Sequence, residues 1–465
     1  MNMGKEGDPQ HMAKSSGAIV DYTEGNIFGR LMTFALPFMF SNLLQNLYNM
    51  VDMVVVGQFV GSEGLSAVSI GGQAMLILTN IGMGFSNGGQ IIISQLVGMR
   101  DFTGIKKTIG TLFTTILLMS IVLMIVCLAL YTPILQWMNT PDEAFEQAQD
   151  YMYICSFGFI FVCGYNMVCA VLRGSGDSKR PLLFIAVSSI VNLVLDLLFV
   201  AGMGMEADGA ALATVIAQFI SFVVAIFYLY RRREWFGFDF RLSSFRVDRA
   251  KLSAICKLGI PLAIQSSAIQ ISQMFVNSYV NTYGVAASAV MGVGKKLQQV
   301  SSIITMGVRQ AASSMIGQNA GAGKQDRIIK IVYISIGIGL VSCLIFTILA
   351  LACPVAIFRL FTADAEVLAL APLFMKILII MFAGNAFNAG YNSLIQGIGN
   401  ASLSMVIALL DGVVFRIGLT LLFGVTLDWG LTGLFLGNNL AIFATVIPAA
   451  IYFHSGMWKK RGLAV

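Results

Sequence analysis

Long apolar stretches recur along the chain, centred near residues 45, 85, 118, 160, 190, 220, 268, 302, 340, 380, 412 and 442. A run of about 20 apolar residues is long enough to carry an α-helix across the hydrocarbon core of a bilayer. The pattern therefore predicts an all-α integral membrane protein with twelve transmembrane helices. The first stretch is read as a span and not a signal peptide: a polar leader precedes it, it outruns an apolar signal core, and no small-residue cleavage site follows. The leader, Met1 to Asn26, is expected to be an unstructured tail.

The apolar pattern also repeats with an offset of about 223 residues. Leu36-Pro37 matches Ile260-Pro261, Met83-Gly84 matches Met306-Gly307, Gln95-x-x-Gly98 matches Gln318-x-x-Gly321, and Gly174-x-Gly176-Asp177 matches Gly397-x-Gly399-Asn400. Six spans per repeat is an even number, so both halves enter the membrane from the same side and are related by an axis along its normal. The chain divides into a tail (1–26), a first half (27–232), a connector (233–253), a second half (254–456) and a short tail (457–465).

Polar residues interrupt the apolar spans at helical spacing. Ser41, Gln45, Tyr48 and Asp52 lie on one face of the first span, Ser189, Asn192 and Asp196 on one face of the fifth, and Thr214, Gln218 and Ser221 on one face of the sixth. Asp52, Asp196 and Thr214 fall about 10, 9 and 8 Å below the outer ends of their spans by helix rise. Lipid offers no partners, so the three stripes are expected to face one another. Two carboxylates without a basic neighbour suit proton coupling, and with the Asn192 and Thr214 oxygens they also suit a Na⁺ ion. The weaker alternative is a polar cluster that only packs helices. In the second half, Ser266, Gln270, Gln273 and Asn277 repeat the first-span spacing without an acid. Asp411 and Arg416, five apart and so about 140° apart on an α-helix, read as members of a structural ion-pair network, with Lys376 one option as partner of Asp411.

Composition supports the class: 57% of residues are hydrophobic and 11% charged, with a mean hydropathy of +0.81, far from a soluble enzyme. The net charge of +6 does not point to nucleic acid, because of where the charges lie. With the N-terminus inside, 23 of the 29 Lys and Arg fall on inside segments, and both termini are expected to be cytoplasmic, in a bacterial-type plasma membrane. The connector, with eight basic residues between Tyr230 and Lys257 and several aromatics, anchors that side or else lies on the anionic leaflet. Lys295, Lys296 and Arg309 fall within spans, where they either sit nearer an interface or snorkel towards it. The seven cysteines have neither disulfide nor zinc spacing and read as packing residues. No Walker A motif, dinucleotide fingerprint or nucleophile–base pair is found, so neither an enzyme nor a cofactor is expected.

Several motifs in order resemble the multidrug and toxic compound extrusion (MATE) family. They are Pro37, Gln45, Tyr48-Asn49-x-x-Asp52 and Gly57, then Leu172-Arg173-Gly174-x-Gly176-Asp177-x-Lys179, then Asn192-x-x-x-Asp196, then Gly209-Ala-Ala-Leu-Ala-Thr214, followed by Gln318-x-x-Gly321-x-Gly323 and Gly430-Leu-Thr-Gly433. The resemblance covers about residues 27 to 455. It implies two six-helix lobes forming a V, and export of small amphiphilic, often cationic drugs or metabolites in exchange for H⁺ or Na⁺. The first-half acids look like the DinF-like branch, whose ion-linked site would fall on Asp52, Asn192, Asp196 and Thr214. The fourth-span Asn of that site aligns at Cys169, with Asn166 one turn away. Gln45, Tyr48, Asn49, Asn166, Gln218, Gln270, Gln273 and Asn277 are the further candidates for the substrate cavity. Expected partners are small amphiphiles and membrane lipids, with the chain acting as a monomer. The competing readings are a flippase for lipid-linked precursors and a membrane receptor.

Overall fold

A computed structural model describes residues 20–465; the first nineteen residues of the expected tail lie outside the described residues. We number the membrane-length helices α1 (Ile27–Phe59), α2 (Ser62–Met99), α3 (Phe102–Trp137), α4 (Asp142–Phe157 and Phe159–Gly174, bent by 49°), α5 (Lys179–Gly202), α6 (Glu206–Arg231), α7 (Arg249–Asn281), α8 (Val285–Gly321), α9 (Gln325–Ala352), α10 (Ala365–Gly397), α11 (Ala401–Thr426) and α12 (Gly430–His454). Ten are apolar and long enough to cross a bilayer singly, and the bent α4 makes an eleventh crossing. The exception is α8, which has the length but carries Lys295, Lys296 and Arg309 among small and polar residues.

Local chemistry sets the helix ends. Asn26, Asp101, Asp248 and Asp364 cap the helices that follow by accepting backbone N–H bonds of the first turn. The repeat appears in the turns. Gly61 and Gly284, 223 apart, precede α2 and α8 at φ +93° and +101°, and Gly176 and Gly399 hold φ +91° and +75° after α4 and α10. Side chains with a Cβ avoid that region, which explains glycine at these offsets.

The two halves form two lobes that meet at one end only. Gly84 and Gly88 of α2 sit against Ala263 and Gly259 of α7, and Gly307 of α8 sits against Met39 and Ala35 of α1. A Cβ on Gly98 would overlap the carbonyl oxygen of Gln318, and one on Gly321 that of Gln95. The matched Gln-x-x-Gly motifs are therefore the two sides of one contact across the pseudo-twofold axis. Gln90 ties the same region, donating to Ser314 Oγ at 2.8 Å and accepting from Gln310 Nε2 at 2.8 Å and Arg173 Nε at 3.0 Å. All these residues lie in the halves of their helices nearest the two termini, so the lobes diverge towards the opposite end and enclose a V-shaped cleft.

The segment before α1 is packed rather than free. Val20 N–H donates to Ser175 O at 3.0 Å. Tyr22 is 3% exposed, stacks on Phe34 at 5.2 Å and donates its hydroxyl to Gly176 O at 2.8 Å. Burial pushes its phenol above the ordinary value, so it stays a donor. Its backbone N–H donates to Gln318 Oε1 at 2.9 Å, and its carbonyl accepts from Asn319 and Arg327. At the other terminus, Ala464 N–H donates to Gln95 Oε1 at 2.8 Å, and Gln95 Nε2 donates to Gly397 O at 3.0 Å. Each terminus thus laces one lobe to the other.

The aromatic residues of the connector pack against the first lobe. Phe236 and Phe238 are buried, and Phe238, Phe240 and Phe245 cluster with Phe113 of α3. Lys106 and Lys107 pair with Asp239 and Asp248 at 3.2 and 3.3 Å. The Ser244 hydroxyl, which donates to Asp239, and the Lys106 ammonium hold that carboxyl at about 2. Aromatic surface that would otherwise enter lipid is buried against protein instead.

Candidate functional site

Three helices of the first lobe bring the predicted stripes together. Asp196 and Asn192 of α5 are fully buried, and Asp52 of α1 is half-buried beside them. The Asp52 and Asp196 carboxyls are close neighbours, and no basic side chain sits beside either. Oriented to satisfy its neighbours, Asn192 donates through Nδ2 to Asp196 Oδ2 at 2.6 Å and accepts at Oδ1 from Thr214 N–H of α6 at 3.3 Å. Tyr48 lies within hydrogen-bond reach of Thr214 and next to both acids. One oxygen of each acid, Asp52 Oδ1 and Asp196 Oδ1, is buried without a partner. Asp196 is the last α-helical residue before α5 widens into a π-helical segment, Leu197–Gly202. Such widenings frequently mark functional positions in helices.

Two residues that the sequence did not single out complete the wall. Tyr151 and Cys155, one turn apart on the first segment of α4, flank Asp52 and Tyr48. Their i, i+4 spacing was visible, but a tyrosine and a cysteine in an apolar run read as packing. Asn166 does not join the site: its amide donates to Val162 O at 2.9 Å, one turn back in its own helix. Cys169, where alignment placed the fourth-span position, is buried. Gln218 is half-buried and makes no side-chain hydrogen bond. Gln45 and Asn49 are exposed, on the side of α1 between the acid stripe and the face packed on α8, which opens on the cleft. At the outer rim of this lobe, Gln147, Asp150, Glu206 and Asp208 line a cavity of about 240 Å³.

In the second lobe, Gln270, Gln273 and Asn277 occupy the face of α7 that packs on α2 lower down, and so turn to the cleft where the lobes separate. Asp411 pairs with Arg416 itself, at 2.8 Å, and not with Lys376, which is exposed. The reason is backbone geometry: Leu410–Ile417 is π-helical, and i→i+5 bonding stacks residues that an α-helix would hold far apart. Arg416 also donates to Asn438 Oδ1 at 3.0 Å and Asn438 O at 3.1 Å. Among the described residues, no group of three or more His, Cys, Asp or Glu could hold a metal ion.

A membrane-embedded pair of helical lobes, joined at one end and carrying ionisable groups inside one of them, is the architecture of a secondary transporter and not of an enzyme. A family model described as MatE matches residues 37–198 and again 261–422, once per lobe. The chain belongs to that family of transporters. The probable multidrug resistance protein YpnP of Bacillus subtilis (strain 168) is 28% identical over 447 residues, covering 95% of this chain and 98% of that one. The multidrug export protein MepA of Staphylococcus haemolyticus (strain JCSC1435) is 25% identical over 414 residues, covering 89% and 90%. A solved multidrug resistance MATE transporter of the MOP superfamily, described as in an outward-facing conformation, superposes with a TM-score of 0.88 at 21% identity, covering 96% and 99%.

Proposed function

We propose that this chain exports small amphiphilic, cation-bearing compounds across the plasma membrane in exchange for protons. The observation that carries the reading is the Asp52–Asp196 pair, two neighbouring carboxyls with no basic partner, inside one lobe of a cleft that is closed at the termini end. Exporters named for multidrug resistance among the relatives support the cargo class. The clustering of Lys and Arg at the termini end supports a cytoplasmic position for that end, which makes this conformation open to the outside.

A proton fits the site better than Na⁺. A shared proton relieves the repulsion between adjacent carboxylates and satisfies an otherwise bare oxygen. Proton entry from the outside would then compete with a cationic cargo for the same negative charge, which couples the two movements.

The test is efflux of a cationic dye from proteoliposomes, driven separately by a pH gradient and by a Na⁺ gradient, for wild type, Asp52→Asn and Asp196→Asn. Efflux driven by the pH gradient and lost in both variants, with their unfolding temperature in detergent preserved, is expected. Efflux driven only by Na⁺ would overturn the choice of ion. No efflux under either gradient would favour a lipid-linked substrate.

A further inference from the structure

The end of the first lobe nearest the termini carries cations that lie outside the cleft. α5 begins at Lys179-Arg180, and α6 ends at Arg231 with Arg232 next in the chain. The two ends are neighbours, because Ser221 Oγ of α6 donates to Phe184 O of α5 at 3.2 Å. The Arg180 guanidinium stands over the Tyr228 ring, 5.9 Å from its centroid, and Arg232 flanks the hydroxyl of the same tyrosine. Among the described residues Arg232 has no acidic partner, and Arg180 has only Asp177, at 3.4 Å. Asp177 is already committed to the first turn of α5, where its Oδ1 accepts the backbone N–H groups of Lys179 and Arg180 at 3.1 and 3.3 Å. Tyr228 Oη is buried and has no hydrogen-bond partner. Guanidiniums hold donors only, so the phenol proton lacks an acceptor. One anionic oxygen group placed between the two arginines serves all three side chains.

Beyond this cluster the wall is apolar. Leu183, Val187, Ile190 and Val194, at steps of four, three and four, form one exposed stripe of α5. Ser188 faces α6, donating to Ala217 O at 3.2 Å, and Asp196 faces the lobe interior, so the stripe is turned to lipid. Val223 and Phe227 extend it on α6. The stripe rises about 17 Å, close to the depth of one leaflet, half of a hydrocarbon core of about 30 Å.

We propose that Arg180, Tyr228 and Arg232 form a headgroup site for an anionic phospholipid of the leaflet at the termini end. The phosphate sits between the two guanidiniums and one acyl chain runs along the α5 stripe. That stripe commits the site to a lipid and not to a free anion. Cations scattered over this end attract anionic lipid without fixing its place; the bare hydroxyl between two arginines gives one phosphate a defined seat. Gly176, next to Asp177, accepts the Tyr22 hydroxyl, so an occupied site braces the turn on which the closed end is built. The site lies apart from the acid pair and the cleft, and the inference does not depend on which cargo or ion the transporter moves.

Native mass spectrometry of the purified full chain in detergent tests it, with dioleoylphosphatidylglycerol and dioleoylphosphatidylcholine as probes. Wild type is expected to bind its first phosphatidylglycerol at least fivefold more tightly than phosphatidylcholine. Arg232→Gln, which has no ion pair to lose, and Tyr228→Phe, which removes only the hydroxyl, should each cut that preference at least twofold without changing the affinity for phosphatidylcholine. Arg180→Lys combined with Arg232→Gln should abolish it. Lys459→Gln combined with Lys460→Gln, which removes two exposed cations from the same end of the second lobe, should leave it unchanged. Equal binding of the two lipids by wild type overturns the site, as does a loss of preference in the lysine control as large as that in Arg232→Gln. Displacement of phosphatidylglycerol by an equal concentration of inorganic phosphate also overturns it, in favour of a free anion.

Discussion

Tyr22 is where a single substitution should most clearly report on the closed end of the cleft. Its ring is buried against Phe34, its hydroxyl is bonded to Gly176 of the first lobe, and its backbone is bonded to Gln318 and Asn319 of the second. Truncating a buried aromatic side chain to alanine costs about 3–5 kcal/mol. About 3 kcal/mol, the low end of that range, is expected for Tyr22→Ala. Tyr22→Phe keeps the ring and loses one neutral hydrogen bond, about 1 kcal/mol. Opening of the termini end requires Ser175–Gly176 to part from Gln318–Asn319, so these contacts belong to the closed state alone. A loss of about 3 kcal/mol then shifts the closed-to-open ratio roughly a hundredfold, at about 1.4 kcal/mol per tenfold. Hydrogen exchange followed by mass spectrometry reads this directly: uptake should rise over 90–98 and 313–321 in Tyr22→Ala, slightly in Tyr22→Phe, and hardly over the distant outer ends of α3 and α9. Unchanged uptake at the closed end in a folded Tyr22→Ala protein would refute the claim that this segment holds the lobes together.

Two further substitutions probe the interior by different physics. Arg416→Met leaves Asp411 buried and unpaired and should lower stability by about 3–5 kcal/mol, while Asp411→Leu combined with Arg416→Met should recover most of the loss; unfolding in detergent checks both. Gly98→Ala drives a Cβ into the Gln318 carbonyl and should cost about 1–3 kcal/mol by overpacking, with greater exchange at the same closed-end peptides, whereas Gly337→Ala, with open space around it, should leave them unchanged.

The spans, the repeat and the acid pair were legible because each follows from a rule with one variable. Apolar length marks a bilayer crossing, a fixed offset marks a duplicated unit, and polar residues at steps of three and four share a face. What escaped the sequence depends on backbone detail or on partners remote in the chain. The pairing of Asp411 with Arg416 was hidden because a π-helical segment changes which residues stack, and nothing in Leu410–Ile417 as a string announces that change. Lys376, plausible from the string, stands exposed. The packing of Val20–Tyr22 depends on Gly176, Gln318 and Asn319, more than 150 residues away, so a polar leader looked free. The connector aromatics were visible, but their partner, Phe113, lies on a span that reads as lipid-facing throughout. Tyr151 and Cys155 were missed because neither residue type distinguishes a site wall from a core.

The repeat is kept where the lobes touch and lost where they separate. Gln95 and Gly98 have their counterparts in Gln318 and Gly321, each packing on the other, so a change on one side must be answered on the other. Gly176 and Gly399 hold the same turn for the same reason. Along the open cleft no such reciprocity acts. With the offset of 224 set in the first span by Pro37 and Pro261, Asp52 corresponds to Val276, and with the offset of 223 that holds for Gly174 and Gly397, Asp196 corresponds to Leu419. Residues there answer to what passes between the walls rather than to one another, so each lobe is free to take its own charge. A duplicated fold with a symmetric hinge and an asymmetric interior follows from those two constraints, and the acids of α1 and α5, which have no acidic counterparts in the second half, are its chemical outcome.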